Sequence, residues 1–401
     1  MGITFVAASD RSAAAAELTN YLLHGHTGLA VLGDNDRSSV QRIVEAEGSD
    51  RRFSSDPSHS LIVATSGSTG GSPHLVCLSK EALIASANAT HDFLGGPGRW
   101  LSALPLQHIA GMQTVLRSAL SGHAPYLHEG EHFAAPDFLA SVARARATTD
   151  SGVPLYTSLV SPQLAACLDL NPEVLSQLDA ILVGGGFIDP TLLERARHAG
   201  INVITTYGMT ETAGGCVYNG FPLSGAEVKA SDNGTLLISG PMVMNGYLDQ
   251  PSPLLEENGR TWFVTSDLGV IGGDGRISLT GRTDDIVNTG GVKVNLRDIE
   301  EHSAKVSGLR SHVLSLTDPT WGQTVALLLE DPRADSISTA QIESRAQAVR
   351  EGVRDALGPA SAPRVVSITT AIPSTALGKV DRVAARTLME SLIGQGRAWR
   401  R

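Results

Sequence analysis

Short apolar runs that break off into glycine- or hydroxyl-rich loops recur through the first half of the chain, and this pattern constrains the fold more than any other feature. Leu61-Ile62-Val63-Ala64 runs straight into Thr65-Ser66-Gly67-Ser68-Thr69-Gly70-Gly71. Ala180-Ile181-Leu182-Val183 ends in Gly184-Gly185-Gly186, and Asn202-Val203-Ile204-Thr205 ends at Tyr207-Gly208. Trp100 to Leu104 reads as another strand, followed by Pro105 and His108. Such runs alternate with helical stretches at 11–23, 80–94 and 190–199, which predicts an α/β sheet with much parallel pairing. Ligands in such sheets sit at the carboxyl ends of strands, so each of these loops is a candidate site.

After residue 222 the texture changes. Thr235-Leu236-Leu237-Ile238, Trp262-Phe263-Val264 and Arg276-Ile277-Ser278-Leu279 alternate with glycine-rich turns, as expected of a small β-rich subdomain. Gly281-Arg282-Thr283-Asp284-Asp285 then leads into a last section large enough for a small α+β domain. The chain has 401 residues, enough for two or three domains around a large core. Its formal net charge of −10 argues against a general nucleic-acid-binding surface, which needs a basic excess. A single nucleotide needs only local donors and one or two cations. Cys77, Cys167 and Cys216 form no CxxC pair and read as buried or semi-buried thiols of a reducing compartment. No basic stretch followed by an apolar core opens the chain, and no run approaches bilayer length. A soluble, cytoplasmic protein is expected, with no membrane partner.

Four stretches carry groups suited to chemistry. The hydroxyls and amides of Thr65, Ser66, Gly67, Ser68, Thr69 and Gly70 could wrap phosphate oxygens. The stretch is neither a Walker loop nor a nucleophile elbow, and by composition it could equally be a surface loop. In Tyr207-Gly208-Met209-Thr210-Glu211-Thr212 a ring could stack on a base, Thr210 could bond a phosphate and Glu211 could hold Mg²⁺. In Thr265-Ser266-Asp267-Leu268-Gly269 a carboxylate suits ribose hydroxyls, with Arg282 as a second anchor. The fourth is Gly378-Lys379; a lone lysine is usually a solvated surface residue.

Taken together and in order, these segments, with GRTDDIVNTGG between the last two, resemble the acyl-adenylate-forming superfamily of acyl–CoA ligases, luciferases and peptide-synthetase adenylation domains. The resemblance runs from about Leu61 to Arg382. It implies a large N-terminal domain, residues 1–283, with mixed, largely parallel sheets and a small β-rich subdomain. A small mobile α+β domain, residues 284–401, would follow. It implies ATP, Mg²⁺ and coenzyme A as ligands. Thr65 to Gly70 would hold the β- and γ-phosphates, and Gly184, Gly185, Gly186 and Tyr207 would bracket the adenine. Thr210 would touch the α-phosphate, Glu211 would support Mg²⁺, and Asp267 with Arg282 would take the ribose. Asp284 would be the hinge, Gly290 and Gly291 would approach the pantetheine arm, and Lys379 would reach the reacting carboxylate. One departure stands out: family members usually carry Lys at the end of the phosphate loop, where this chain has Gly71-Ser72-Pro73-His74.

Pro105-Leu106-Gln107-His108-Ile109-Ala110-Gly111-Met112-Gln113-Thr114-Val115-Leu116-Arg117 speaks to the acid. His108 would help line the acyl pocket. An arginine nine residues on, in an otherwise apolar pocket, needs an anion. With the run over residues 95–120, the stretch is similar to o-succinylbenzoate–CoA ligases of menaquinone synthesis, whose substrate is a dicarboxylate. Arg117 could instead be a surface helix salt bridge. A ligase for another aromatic or short acid, and a non-catalytic AMP-binding regulator, stand as alternatives; a homodimer is compatible with either. His123, His128 and His132 with Glu129 and Glu131 lack metal-ligand spacing and read as a solvated loop.

Overall fold

The computed structural model describes residues 3–25, 27–33, 40, 59–65, 74–130, 133–186, 188–375 and 380–401. They form two compact units: one takes the residues up to Thr265 with Val270–Ser278, and the other takes Ser266–Gly269 with Leu279–Arg401.

The first unit is built on two large sheets. One orders the strands Ile3–Ala7, Gly28–Leu32, Leu61–Ala64, Leu75–Leu78 and Gly246–Tyr247, the first three mutually parallel. The other has seven strands: Phe221–Pro222, Gly214–Tyr218, Val203–Met209, Ala180–Gly184, Leu155–Leu159, Arg99–Ser102 and Tyr126–Leu127. From Val203–Met209 to Tyr126–Leu127 every pairing is parallel. Gly28–Leu32 and Leu155–Leu159 are buried at every position, so their sequences run apolar without a polar beat. The expected α/β class with mixed, largely parallel sheets is what the chain adopts. A smaller antiparallel sheet orders Glu227–Ala230, Thr235–Ser239, Arg260–Ile271 and Leu254–Glu257, as the glycine-punctuated strands anticipate.

Helix Lys80–Leu94 starts where the Ser79 hydroxyl accepts from the Ala82 amide and stops at Gly95 in the left-handed region. Helix Ile109–Leu120 is buried almost all round and packs against Lys80–Leu94, helix Arg11–His24 and strand Arg99–Ser102. Met112, Val115 and Leu116 are fully buried there, each contributing roughly 1.5–3 kcal/mol. The same burial encloses the polar residues Gln113, Thr114 and Arg117.

In the second unit the strand Gly322–Glu330 lies between Arg310–Asp318 and Val365–Thr369, with Ile286–Thr289, Val292–Asn295 and Ala398–Arg400 completing the sheet. Its alternation feeds two cores. Val325, Leu327 and Leu329 pack with Ile299 and Val349 of helices Leu296–Ser307 and Thr339–Leu357. Ala326 and Leu328 pack on the other side with Ala385, Met389 and Leu392 of helix Arg382–Gly394.

One expectation fails. His128 is not part of a solvated loop: it is buried, its Nδ1 is 2.9 Å from the Ser141 hydroxyl, and its ring packs on Phe133 and Phe138. Phe133 and Phe138 follow within ten residues and fold back over the ring, which the polar run of histidines and glutamates alone does not show. All three cysteines are buried. No helix of the described residues is long and apolar enough to cross a membrane.

Candidate active site

Parallel pairing sets the carboxyl ends of Ala180–Gly184 and Val203–Met209 side by side. Gly184 is registered with Thr206, which places the glycine run next to half-buried Tyr207. Gly208 has no alternative residue: a Cβ there would lie 2.1 Å from the Gly214 carbonyl oxygen of the antiparallel neighbour. The chain then makes one 3₁₀ turn, Thr210–Thr212, ending at Ala213 with φ 51°. The turn is held by the Thr212 hydroxyl, which accepts from the Met209 amide and donates to the Gly214 carbonyl. Glu211 therefore projects from a fixed turn. Its Oε1 accepts a 2.6 Å bond from the Tyr247 hydroxyl, and its backbone oxygen accepts from Met244 N at 2.8 Å. Burial and the adjacent Glu211 charge push the Tyr247 phenol well above its ordinary pKa, so the hydroxyl stays a donor.

No cluster of three or more potential metal ligands exists among the described residues. Mg²⁺ is a hard cation usually held by one or two carboxylates and by substrate phosphates rather than by a protein cage. Glu211, already oriented by Tyr247, is the carboxylate that could serve.

Thr65 follows the strand Leu61–Ala64, and its amide bonds the His74 carbonyl at 2.9 Å while its hydroxyl accepts from His74 N at 3.2 Å. The base of the expected phosphate loop is thus closed by a pair of bonds. Ser66, Gly67, Ser68, Thr69 and Gly70 lie outside the described residues, as does Lys379.

Arg117 is 3% exposed, which removes the surface salt bridge as its explanation. It lies 5.0 Å from the Trp100 ring centroid, and its Nη2 donates a long 3.4 Å bond to the Tyr218 hydroxyl. Its Nε is buried without a partner, and no carboxylate pairs with it among the described residues. Burial pulls its pKa down, only partly offset by Tyr218. One helical turn earlier, Gln113 Nε2 donates to the Ala213 carbonyl at 2.7 Å, leaving its Oε1 buried and unpartnered. Ser86 also donates to the Ala213 carbonyl. The turn bearing Thr210 and Glu211 thus runs straight into the wall beside Arg117. His108, half-buried, stands at the N-terminal cap of the same helix. Gln113, Trp100, Ser86 and Tyr218 belong to this site without a local signature in sequence; Gln113 alone was open to inference, four residues from Arg117 on one helix face.

In the second unit Asp267, Arg282 and Asp284 come together. Arg282 Nη1 donates to Asp267 Oδ1 at 2.7 Å, while its Nε and Nη2 grip Asp284 at 2.8 and 3.0 Å. Burial alone would lower the Arg282 pKa; the bond to Asp284 and the surrounding carboxylates outweigh it and hold the guanidinium above its ordinary value. Asp285 next door pairs with Arg382 at 2.8 Å. Gly290 and Gly291 form the turn between Ile286–Thr289 and Val292–Asn295, both with positive φ. At Gly290 a Cβ would lie 2.4 Å from the Trp321 ring.

The chain is similar to known proteins over most of its length. A "Probable 2-succinylbenzoate--CoA ligase" of Mycobacterium tuberculosis (strain ATCC 25618 / H37Rv) is 36% identical over 337 residues, 82% of this chain and 84% of that protein. The 2-succinylbenzoate–CoA ligase of Enterococcus faecalis is 28% identical over 349 residues, 80% of this chain and 68% of that one. Among solved structures, o-succinylbenzoate CoA synthetase from Bacillus subtilis in complex with the acyl-adenylate intermediate OSB-AMP superposes with a TM-score of 0.65 at 26% identity, covering 80% of this chain and 68% of that one. The same B. subtilis enzyme with ATP and magnesium ion gives 0.65 at 25% identity, covering 81% and 69%. Residues 7–248 match the AMP-binding enzyme family, and the chain belongs to that family.

Proposed function

We propose that the chain is an ATP-dependent o-succinylbenzoate–CoA ligase: it makes the acyl-AMP from o-succinylbenzoate, ATP and Mg²⁺, then transfers the acyl group to coenzyme A. The relatives named above support the reaction type. The observation that carries the acid is Arg117, a buried cation without a carboxylate partner among the described residues. A monocarboxylic acid offers it nothing once its only carboxylate is activated. A dicarboxylate activated at its aliphatic end keeps an aromatic carboxylate to neutralise it.

The division of labour follows from the chemistry. Two anions must meet, so Lys379 and the cation supported by Glu211 would offset charge gathering at the α-phosphate, which Thr210 also contacts. Gly184, Gly185, Gly186 and Tyr207 would frame the adenine, and Asp267, oriented by Arg282, would take the ribose hydroxyls. Thr65, with Ser66, Gly67, Ser68, Thr69 and Gly70, would hold the outer phosphates. His108 and Arg117 would line the acyl pocket. Asp284 would be the hinge between domains 1–283 and 284–401, bringing Gly290 and Gly291 to the pantetheine arm for the second step. The test is pyrophosphate release with ATP and Mg²⁺ across a panel of acids. o-Succinylbenzoate should give the highest kcat/KM; a higher value for benzoate or a fatty acid would overturn the assignment of the acid.

A further inference from the structure

Two residues on one short segment grip the side chains of Glu211 and His74. The strand Gly246–Tyr247 pairs with Leu75–Leu78, matching Tyr247 with Val76 and Gly246 with Cys77. Its Tyr247 hydroxyl donates to Glu211. Two residues on, both oxygens of the Asp249 carboxylate are engaged: Oδ1 accepts from Leu75 N at 2.8 Å and Oδ2 lies 3.0 Å from His74 Nδ1. The His74 ring lies against Tyr247, centroids 5.6 Å apart, and its side chain remains 38% exposed beside a carboxylate that is 17% exposed. His74 is therefore not a loose surface residue. Its backbone is tied to Thr65, one ring nitrogen is committed to Asp249, the ring meets Tyr247, and among the described residues Nε2 is the nitrogen left over.

We propose that Tyr247 and Asp249 act together as positioning residues for the triphosphate end of the nucleotide: Tyr247 aims Glu211, and Asp249 aims His74 so that Nε2 donates to a phosphate oxygen. This rests on the reading of the chain as an ATP-using ligase. The donor logic is simple. A ring held by a carboxylate at Nδ1 turns Nε2 outward in one fixed direction, and Asp249 sets that direction. A lysine at the same place would need no such orientation, because its ammonium donates in three directions.

That difference supplies the test. MgATP affinity of the full-length protein is measured by titration calorimetry, and KM for ATP and for the acid by pyrophosphate release. The variants are Asp249→Asn, His74→Lys and the pair. Asp249→Asn should weaken MgATP binding about tenfold, with kcat and the KM for the acid little changed. In the His74→Lys background the same substitution should change MgATP affinity less than about twofold. Equal losses in both backgrounds would mean that Asp249 acts only by holding the Leu75 amide, and the proposal falls. No loss in either background overturns it as well. A protein that binds MgATP with normal affinity but releases no pyrophosphate with any acid would sink the ligase reading while leaving the His74 result intact.

Discussion

Replacing Arg117 with methionine tests substrate recognition, because the structure fixes both the size and the sign of two effects. Among the described residues the guanidinium has the 3.4 Å bond to Tyr218 and the face of Trp100, and its Nε has no partner. Its desolvation is therefore uncompensated until an anion arrives. A hydrogen bond to a charged group contributes about 1.5–3 kcal/mol, and about 1.4 kcal/mol is a factor of ten. Arg117→Met should thus raise the KM for o-succinylbenzoate by roughly tenfold to a hundredfold, with the KM for ATP unchanged. Stability should move the other way from a structural residue. Exchanging an unpaired buried charge for an apolar chain of similar length is often neutral or stabilising, so Tm should fall by no more than about 2 °C and can rise. An analogue lacking the aromatic carboxylate should be a poor substrate for the wild type and lose little further in the variant. Kinetics in the two acids and a thermal melt decide the matter. An unchanged KM for o-succinylbenzoate, or a large drop in Tm with ATP and acid equally affected, would refute the reasoning.

Three further outcomes are expected. Lys379→Ala should abolish acyl-AMP formation but keep most thioester formation from supplied acyl-AMP and coenzyme A; equal loss in both half-reactions would remove its assigned role. Asp284→Pro, which fixes φ and breaks the clasp with Arg282, should let acyl-AMP accumulate while the coenzyme A step slows, and a wild-type thioester rate would place the hinge elsewhere. His91 is pushed down to about 4, chiefly by burial and then by the Arg117 charge. A histidine that resists protonation when folded leaves the unfolded chain binding more protons, so its contribution to stability is lost as pH falls from about 6.5 towards about 4. His91→Gln should flatten the fall of Tm over that window, and parallel pH profiles for the two proteins would contradict it.

Much of the fold was legible because both-face burial writes itself as unbroken apolar runs, as in Leu61–Ala64 and Ala180–Gly184. The helical stretch at 80–94 was legible too, and the structure shows Ser79 capping it. The chemistry-bearing loops were legible for a related reason, since each follows its strand. What sequence could not carry is contact between remote segments. Nothing near Glu211 names Tyr247 as its partner, 36 residues away, and nothing near His74 names Asp249, 175 residues away. His128 was misjudged because Phe133 and Phe138 pack back over it. Arg117 sat between two readings until its burial was known: polarity at one helix position says that a partner is needed, and only the surrounding structure says whether the protein supplies one.

On this reading the chain joins o-succinylbenzoate to coenzyme A through an acyl-AMP. Mass spectrometry of the full reaction, with ATP, Mg²⁺, coenzyme A and o-succinylbenzoate competing against an equal concentration of benzoate, tests it directly. The expected result is o-succinylbenzoyl–CoA as the dominant thioester, with AMP formed in equal amount, and acyl-AMP detectable when coenzyme A is left out. A dominant benzoyl thioester, or ADP in place of AMP, would contradict it.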